Sequence, residues 1–490
     1  MRVVVVGAGL GGLSAACHLV GKGHEVLVLE RESVPGGRAG LLEEAGYRID
    51  TGPSVFTMTG LLADTFAAAG ADMAEHLRLR PVDPMYRAVF ADGSEICVRH
   101  GREAMTDEIR DKAGAGEAEA FGRFCDWLTQ LYRLELPNFI NRNFDSVLSI
   151  ARPMKPLLTL VRLGGFKKLA GVVGSYFADD RLQRLFSFQA MYAGLSPFDA
   201  LALYCVITYM DTVEGVFFPE GGMHAIPRGL AAAATKAGVE FRYGATVERV
   251  ARESDRATGV VLEGGEVVRA DAVVLNPDLP VAYRELLGEK APRVARKGHY
   301  SPSCAVWLAG VRGTLPEGAT HHNIHFGAQW KDAFDALLER GDTMPDPSML
   351  VSSPTFSDPS LAPEGAVSLY VLEPTPNLDG KVDWSRQRQR FKDGLLERVA
   401  ALGYPTHAEV ERFVDPSDWK RQGMERGTPF ALAHNFFQTG PFRPNNVDKR
   451  LPGVAFVGSG TVPGVGVPMV LLSGRLAAER VDDLALGVVR

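Results

Sequence analysis

Apolar and polar positions alternate between two periods along this chain, and the places where one gives way to the other outline its elements. Residues 2–6 form an unbroken apolar run ending at Gly7. A helical pattern follows from about residue 10, and a second apolar run over residues 26–29 closes on Glu30. Two short alternating runs over residues 86–99 meet at Asp92-Gly93, which predicts a hairpin. Residues 102–210 read mainly as helix. Strands return at residues 239–242, 245–252, 259–262 and 272–275, with Gly264-Gly265 marking a turn. From residue 290 to about 430, strands such as 303–311 and 367–372 alternate with helices such as 384–402. A last strand before Gly458 leads into a helix running through Ala478. No apolar run approaches the roughly 18 residues of a membrane-spanning helix.

The first turn carries chemistry because of its context. Strand, glycine turn, helix, strand and terminal acid occur in that order, which together predict half of a dinucleotide site. Gly7 permits the tight turn, Gly9 lets backbone approach a pyrophosphate, and Gly12 lets the helix lie close on the sheet with its N-terminus facing the phosphates. Glu30 offers a carboxylate to a ribose hydroxyl. Downstream, the 30–38 segment, containing Arg31, Gly36, Gly37 and Arg38, is followed by Gly52, Pro53 and Ser54. The glycine pair and the Arg38 guanidinium suit a pyrophosphate, and Gly52-Pro53 carries the chain tightly past a flat ring.

Composition narrows the possibilities. The 490 residues are 46% hydrophobic and 23% charged with a net charge of −6, enough for two or three domains and giving no reason to expect nucleic acid. Five scattered cysteines form no CxxC pair, so neither a disulfide framework nor a metal site is expected, and a reducing cytoplasm fits. The first strand at residue 2 leaves no room for a signal peptide. Residues 146–178 are basic and apolar together: Arg152, Lys155, Arg162, Lys167 and Lys168 are interleaved with leucine, isoleucine, valine, methionine and phenylalanine, without a single acid. Such a stretch is expected to lie in a bilayer interface. Residues 198–210 are hydrophobic in a way that favours core packing over a tunnel wall.

With the segments 30–38 and 46–54, the sequence resembles the large FAD-dependent family that includes amine oxidases, protoporphyrinogen oxidases and carotenoid desaturases. Four further segments, 186–197, 216–223, 442–446 and 457–468, narrow the resemblance to bacterial phytoene desaturases and their carotenoid-desaturase relatives. The match is densest at residues 1–60, 175–290 and 440–480 and thin at 102–170 and 310–430. It implies an α/β fold: a Rossmann-like FAD-binding domain assembled from residues 1–75, 218–290 and 436–490, a mixed-sheet substrate domain from 76–101 and 291–435, and a helical membrane-associating region at 102–217. Val247 is then expected on the adenine side, Asn276 at a strand end near the cofactor, and Gly458, Gly460, Gly466, Val467, Pro468 and Met469 around the flavin. Pro468 suits a first helical turn whose free amides stabilise negative charge on a reduced flavin.

The implied activity is desaturation of a phytoene-like polyene at a membrane surface, with FAD as cofactor, hydride transfer to flavin N5, and oxygen or quinone as acceptor. Carotenoid isomerase, an amine or protoporphyrinogen oxidase, and a non-catalytic flavin scaffold are the alternatives. Asp145 and Glu220 are weak candidates for the proton acceptor, and His224 and His434 are expected to be structural.

Overall fold

The computed structural model describes residues 1–144, 146, 149 and 154–486. Five strands form a wholly parallel sheet in the order Val454–Phe456, Ala272–Leu275, Arg2–Val6, Glu25–Leu29 and Glu240–Arg242. The chain thus draws one sheet from its beginning, its middle and its far end. The apolar runs are continuous rather than alternating because both faces are covered. Val3, Val5, Val26 and Val28 pack on one side with the helices Leu10–Gly21 and Val467–Ala485. Val4, Val6, Leu27 and Leu29 face a three-stranded antiparallel sheet, Val247–Glu253, Arg256–Leu262 and Val267–Arg269, on the other. The result is a three-layer nucleotide-binding unit.

A second sheet of seven strands runs in the order Ala408–Val414, Ser303–Arg312, Ala366–Thr375, Met349–Ser352, His322–His325, Tyr86–Val89 and Glu95–Val98. Its pairings are antiparallel except that His322–His325 lies parallel to Tyr86–Val89, so the sheet is mixed. The predicted hairpin at Asp92-Gly93 is its edge. Ser303–Arg312, flanked by strands on both sides, is buried along nine of its ten residues, and Trp307 sits fully inside the sheet's own core.

The region from residue 102 is helical, with Arg102–Ala113 and Ala115–Glu135 antiparallel and the latter running directly into a π-helical turn, Leu136–Ile140. Phe121 and Phe124 cluster with Phe177 and Phe186, pinning Ala115–Glu135 to the ends of the helices Leu169–Tyr176 and Asp180–Leu185. The helix Met154–Arg162 has a strongly one-sided pattern: Leu160 is buried, whereas Met154, Leu158 and Val161 are exposed beside Lys155 and Arg162. No helix among the described residues is long and apolar enough to cross a membrane.

Candidate active site

One large cavity, about 1260 Å³, runs from the glycine turn at Gly7 to the helix Met154–Arg162. It opens at the C-terminal edge of the parallel sheet, where open α/β sheets bind their ligands. Three distant segments converge there through backbone bonds. The Asn276 amide donates to Val6 O at 2.9 Å, Val457 N donates to Leu275 O at 3.0 Å, and Gly36 N donates to Ala8 O at 2.9 Å. The Asn276 side chain fills the space under the turn so closely that a Cβ on Gly9 would lie 2.6 Å from its Oδ1.

Glu30 is buried at the end of its strand. Its Oε2 accepts from Ala8 N at 2.6 Å and its Oε1 from Glu32 N at 3.0 Å, so the acid braces the glycine turn as well as facing the cavity. Arg38 reaches across: Nη1 donates to Pro429 O and Ser459 Oγ, each at 2.7 Å, and Nη2 lies 3.4 Å from the buried carboxylate of Asp278. Arg31 is exposed at the rim and paired with Glu32 at 3.2 Å. Gly36, Gly37, Gly52, Pro53, Ser54, Val247, Gly458, Gly460, Gly466, Val467, Pro468 and Met469 all border the same cavity. Gly12 does not. It lies beneath the turn, where a Cβ would overlap the Gly7 carbonyl oxygen.

The C-terminal wall explains the segment 442–446. Arg443 is fully enclosed and donates to four carbonyls, those of Leu432, Gln438, Ser459 and Thr461, at 2.6–3.2 Å. Among the described residues no carboxylate pairs with it, and burial lowers its pKa to about 10. Asn446 Nδ2 donates to Phe456 O at 2.9 Å and to Ser473 Oγ at 3.1 Å, while Gly458 N donates to the same Ser473 oxygen at 3.1 Å. The loop 458–466 is therefore fixed from behind, and the free amides at the start of Val467–Ala485 face the cavity. The bulky Leu471 and Leu472 are buried in the protein rather than facing the chamber; Val467 to Val470 form the wall.

Asp50 holds the neighbouring loop. Its carboxylate accepts from Met223 N at 2.7 Å and His224 N at 2.9 Å, capping the helix Ala225–Lys236, while His224 Nδ1 meets Ala39 O at 2.8 Å. Burial pushes Asp50 from 3.8 up to about 6, outweighing the two amides and Arg48. A carboxyl raised on folding contributes stability below its unfolded pKa and loses it as pH rises through the folded one. Asp50→Asn is accordingly expected to abolish a stability decline of roughly 2–3 kcal/mol that the wild type shows between pH about 4 and about 6. Urea denaturation of both proteins at the two ends of that range measures the difference.

Towards Met154–Arg162 the lining turns apolar: Leu157, Leu160, Leu203, Val206, Ile207 and Met210 face inward. The segment 198–210 thus divides, with Ala202 and Cys205 packed in the core and the four larger residues just named forming a wall, because its short helical turns expose alternate faces. The sequence favours core packing over a tunnel wall for this segment, and the structure shows both. Glu220 lies outside this cavity, its carboxylate paired with Arg80 and 4.0 Å from Arg78. Asp145 and Arg152 lie outside the described residues. Polar groups that sequence patterning passed over do border the chamber: Glu135, His322, and Asp211 with Tyr86. Glu135 had one legible signal, an isolated acid within the apolar run 134–136 at a helix end.

A cavity that joins a dinucleotide cradle to an apolar chamber, on a parallel sheet gathered from both ends of the chain, defines a flavoprotein oxidoreductase. Comparison with known proteins agrees. The family described as flavin containing amine oxidoreductase matches residues 10–482. A phytoene dehydrogenase of Streptomyces griseus is 51% identical over 486 residues, covering 98% of this chain and 95% of that protein. A zeta-carotene-forming phytoene desaturase of Myxococcus xanthus is 39% identical over 489 residues, with 98% and 93% covered. Among solved structures, an oxidoreductase from Methanosarcina mazei superposes with a TM-score of 0.63 at 19% identity, covering 98% of this chain and all of that one. The chain belongs to the flavin-containing amine oxidoreductases and, within them, to the phytoene and carotenoid desaturases. Its cofactor is FAD, and the cradle suits it: the turn leaves no room for a side chain at Gly9, an acid closes the second strand, and a helix N-terminus faces the far end.

Proposed function

We propose that the protein is an FAD-dependent carotenoid desaturase that dehydrogenates phytoene towards lycopene or a less desaturated intermediate while seated on a membrane surface. The observation that carries this reading is the continuity of one cavity from the nucleotide cradle to an apolar chamber lined in part by an amphipathic basic helix. In this reading Glu30 takes the ribose, Gly7, Gly9, Gly36, Gly37 and Arg38 the pyrophosphate, and Val247 the adenine side. Gly52 to Ser54, Asn276 and residues 458–469 take the rest of the cofactor, all of them bordering the same cavity except Thr461 and Gly464. Flavin when bound supplies a two-electron acceptor at N5 for a hydride from an allylic carbon. The start of the helix Val467–Ala485 stabilises negative charge on that side, and the fixed 458–466 loop keeps the amides aimed without reorganisation.

A hydrocarbon offers no polar handle, so the walls must align it by shape. Burying apolar surface from water yields about 25 cal/mol per Å², but transfer from a bilayer yields far less, which puts the emphasis on access. Leu157 and Leu160 border the chamber, while Met154, Leu158 and Val161 on the same helix are exposed. Phe166, whose ring lies 6.1 Å from that of Phe436, and the exposed Phe437 extend this apolar face. Seated in a bilayer interface, such a face would let substrate pass from lipid to cavity without crossing water.

Anaerobic mixing of the holoprotein with phytoene in liposomes tests the reading. Flavin bleaching with appearance of conjugated products is expected. An unbleached flavin rejects desaturation, and an altered substrate geometry without oxidation would identify an isomerase instead.

A further inference from the structure

Desaturation removes a hydride and also a proton, and the second needs a destination in an otherwise greasy chamber. We propose that Glu135 is the proton acceptor, its carboxylate taking the proton from the carbon adjacent to the one that gives up hydride; the inference rests on the desaturase reading above. In each turnover the allylic C–H bond breaks with both electrons leaving as hydride to the flavin oxidant. A C–H bond on the neighbouring carbon breaks heterolytically, its proton passes to Glu135, and its electron pair remains as the new C=C bond.

The placement of Glu135 is hard to explain structurally. It is the last residue of Ala115–Glu135, is 3% exposed, and borders the cavity. Its Oε1 has no hydrogen-bond partner among the described residues. An unpaired buried acid costs stability that a leucine would not. The helix also changes to a π-turn immediately after it, over Leu136–Ile140, where Pro137 lacks the amide that would continue the α-helical ladder. Phe139 and Ile140 of that turn line the chamber beside it.

A chain of contacts through Tyr204 and His434 connects the surroundings of Glu135 to the 458–466 loop. Tyr204, within electrostatic reach of Glu135, donates to the His434 carbonyl and sits 2.9 Å from Thr439 Oγ1. His434 Nε2 in turn accepts from Val465 N at 3.4 Å, in the loop that precedes the helix Val467–Ala485. Asp211, which also borders the cavity, is already engaged: Tyr86 Oη lies 3.3 Å away and Gln189 Nε2 3.2 Å. Burial holds Glu135 well above the usual carboxylate range. Among the described residues, Tyr204, pushed up to about 12, and Cys205, pushed up also by burial, lie within electrostatic reach of Glu135, and both stay neutral. The accepting form is the ionised one, and the rate should rise with pH through this raised value.

The test uses holoprotein with phytoene liposomes and stopped-flow flavin reduction. Glu135→Gln is expected to slow bleaching by about 10²–10⁴-fold, the range for a lost general base, with KM within about threefold, flavin absorbance intact and a melting temperature at or above that of the wild type. Glu135→Asp should keep a measurable rate and the rising pH limb, which the glutamine variant lacks. Asp211→Asn should stay within about tenfold of wild type. Independently of turnover, the infrared spectrum of wild type minus Glu135→Gln should show a protonated-carboxyl C=O band at neutral pH. Bleaching by Glu135→Gln within threefold of wild type, a larger loss for Asp211→Asn than for Glu135→Gln, or absence of that band overturns the assignment. A wild type that fails to bleach sinks the desaturase reading instead, and the infrared comparison still decides whether Glu135 is the buried acid described.

Discussion

A Gly12→Val chain is expected to purify colourless, with FAD affinity reduced on the order of 10²-fold or more and folding stability reduced by about 3 kcal/mol. The new Cβ would overlap the Gly7 carbonyl oxygen, which is backbone and cannot rotate away. Overpacking a core costs about 1–3 kcal/mol when side chains can yield, and here the helix Leu10–Gly21 must lift off the sheet instead. That movement carries the helix N-terminus away from the phosphates it is meant to face. Gly60 provides the control: it is exposed in the helix Thr59–Ala68 with open space around it, so Gly60→Ala should keep its flavin and gain a few tenths of a kcal/mol. Absorbance of the purified proteins and urea melts decide both. A yellow Gly12→Val protein of normal stability would remove the close helix–strand approach from the account of this site.

The triple variant Lys155→Gln, Arg162→Gln, Lys167→Gln is expected to lose about two orders of magnitude in partitioning to anionic liposomes. Each basic residue near such a surface is worth about 1 kcal/mol. All three are exposed on or beside the helix Met154–Arg162, and the salt bridges among the described residues include none of them. Lys168 differs, because its ammonium lies 3.7 Å from the Asp199 carboxylate and 3.0 Å from the Asp199 carbonyl oxygen. Lys168→Gln should therefore change partitioning little. Sedimentation with vesicles of increasing anionic content, at low and high salt, reads the effect, and unchanged binding of the triple variant rejects the interface helix.

The nucleotide side was legible in the sequence because its chemistry is local. A tight turn demands Gly7, a close approach demands Gly9, and a strand end demands an acid within 30 residues of the start, so spacing alone carries them. The parallel sheet was legible in part for the same reason, since strands covered on both faces read as unbroken apolar runs. The chamber was not. Leu203, Val206, Ile207 and Met210 have the same hydrophobicity whether they face a cavity or a core, and only three-dimensional packing separates the cases. Arg38 illustrates a middle situation: its charge marked the cradle, but its bonds to Pro429, Ser459 and Asp278 join residues some 240 to 421 positions away, which no local pattern encodes. Glu220 misled for the converse reason, since adjacency to Gly221-Gly222 in the chain does not bring its carboxylate to the cavity.

The central strand Arg2–Val6 pairs with Glu25–Leu29 on one side but with the distant Ala272–Leu275 on the other, and Ser14 bonds the Leu471 carbonyl across 457 positions. Contacts of such long range close slowly. During synthesis the emerging amino-terminal turn can wrap no prosthetic group, for its opposite wall has yet to be translated. Loading of FAD therefore belongs to the finished polypeptide, and any truncation ahead of Val454 yields a chain with half a cradle and an open hydrophobic flank.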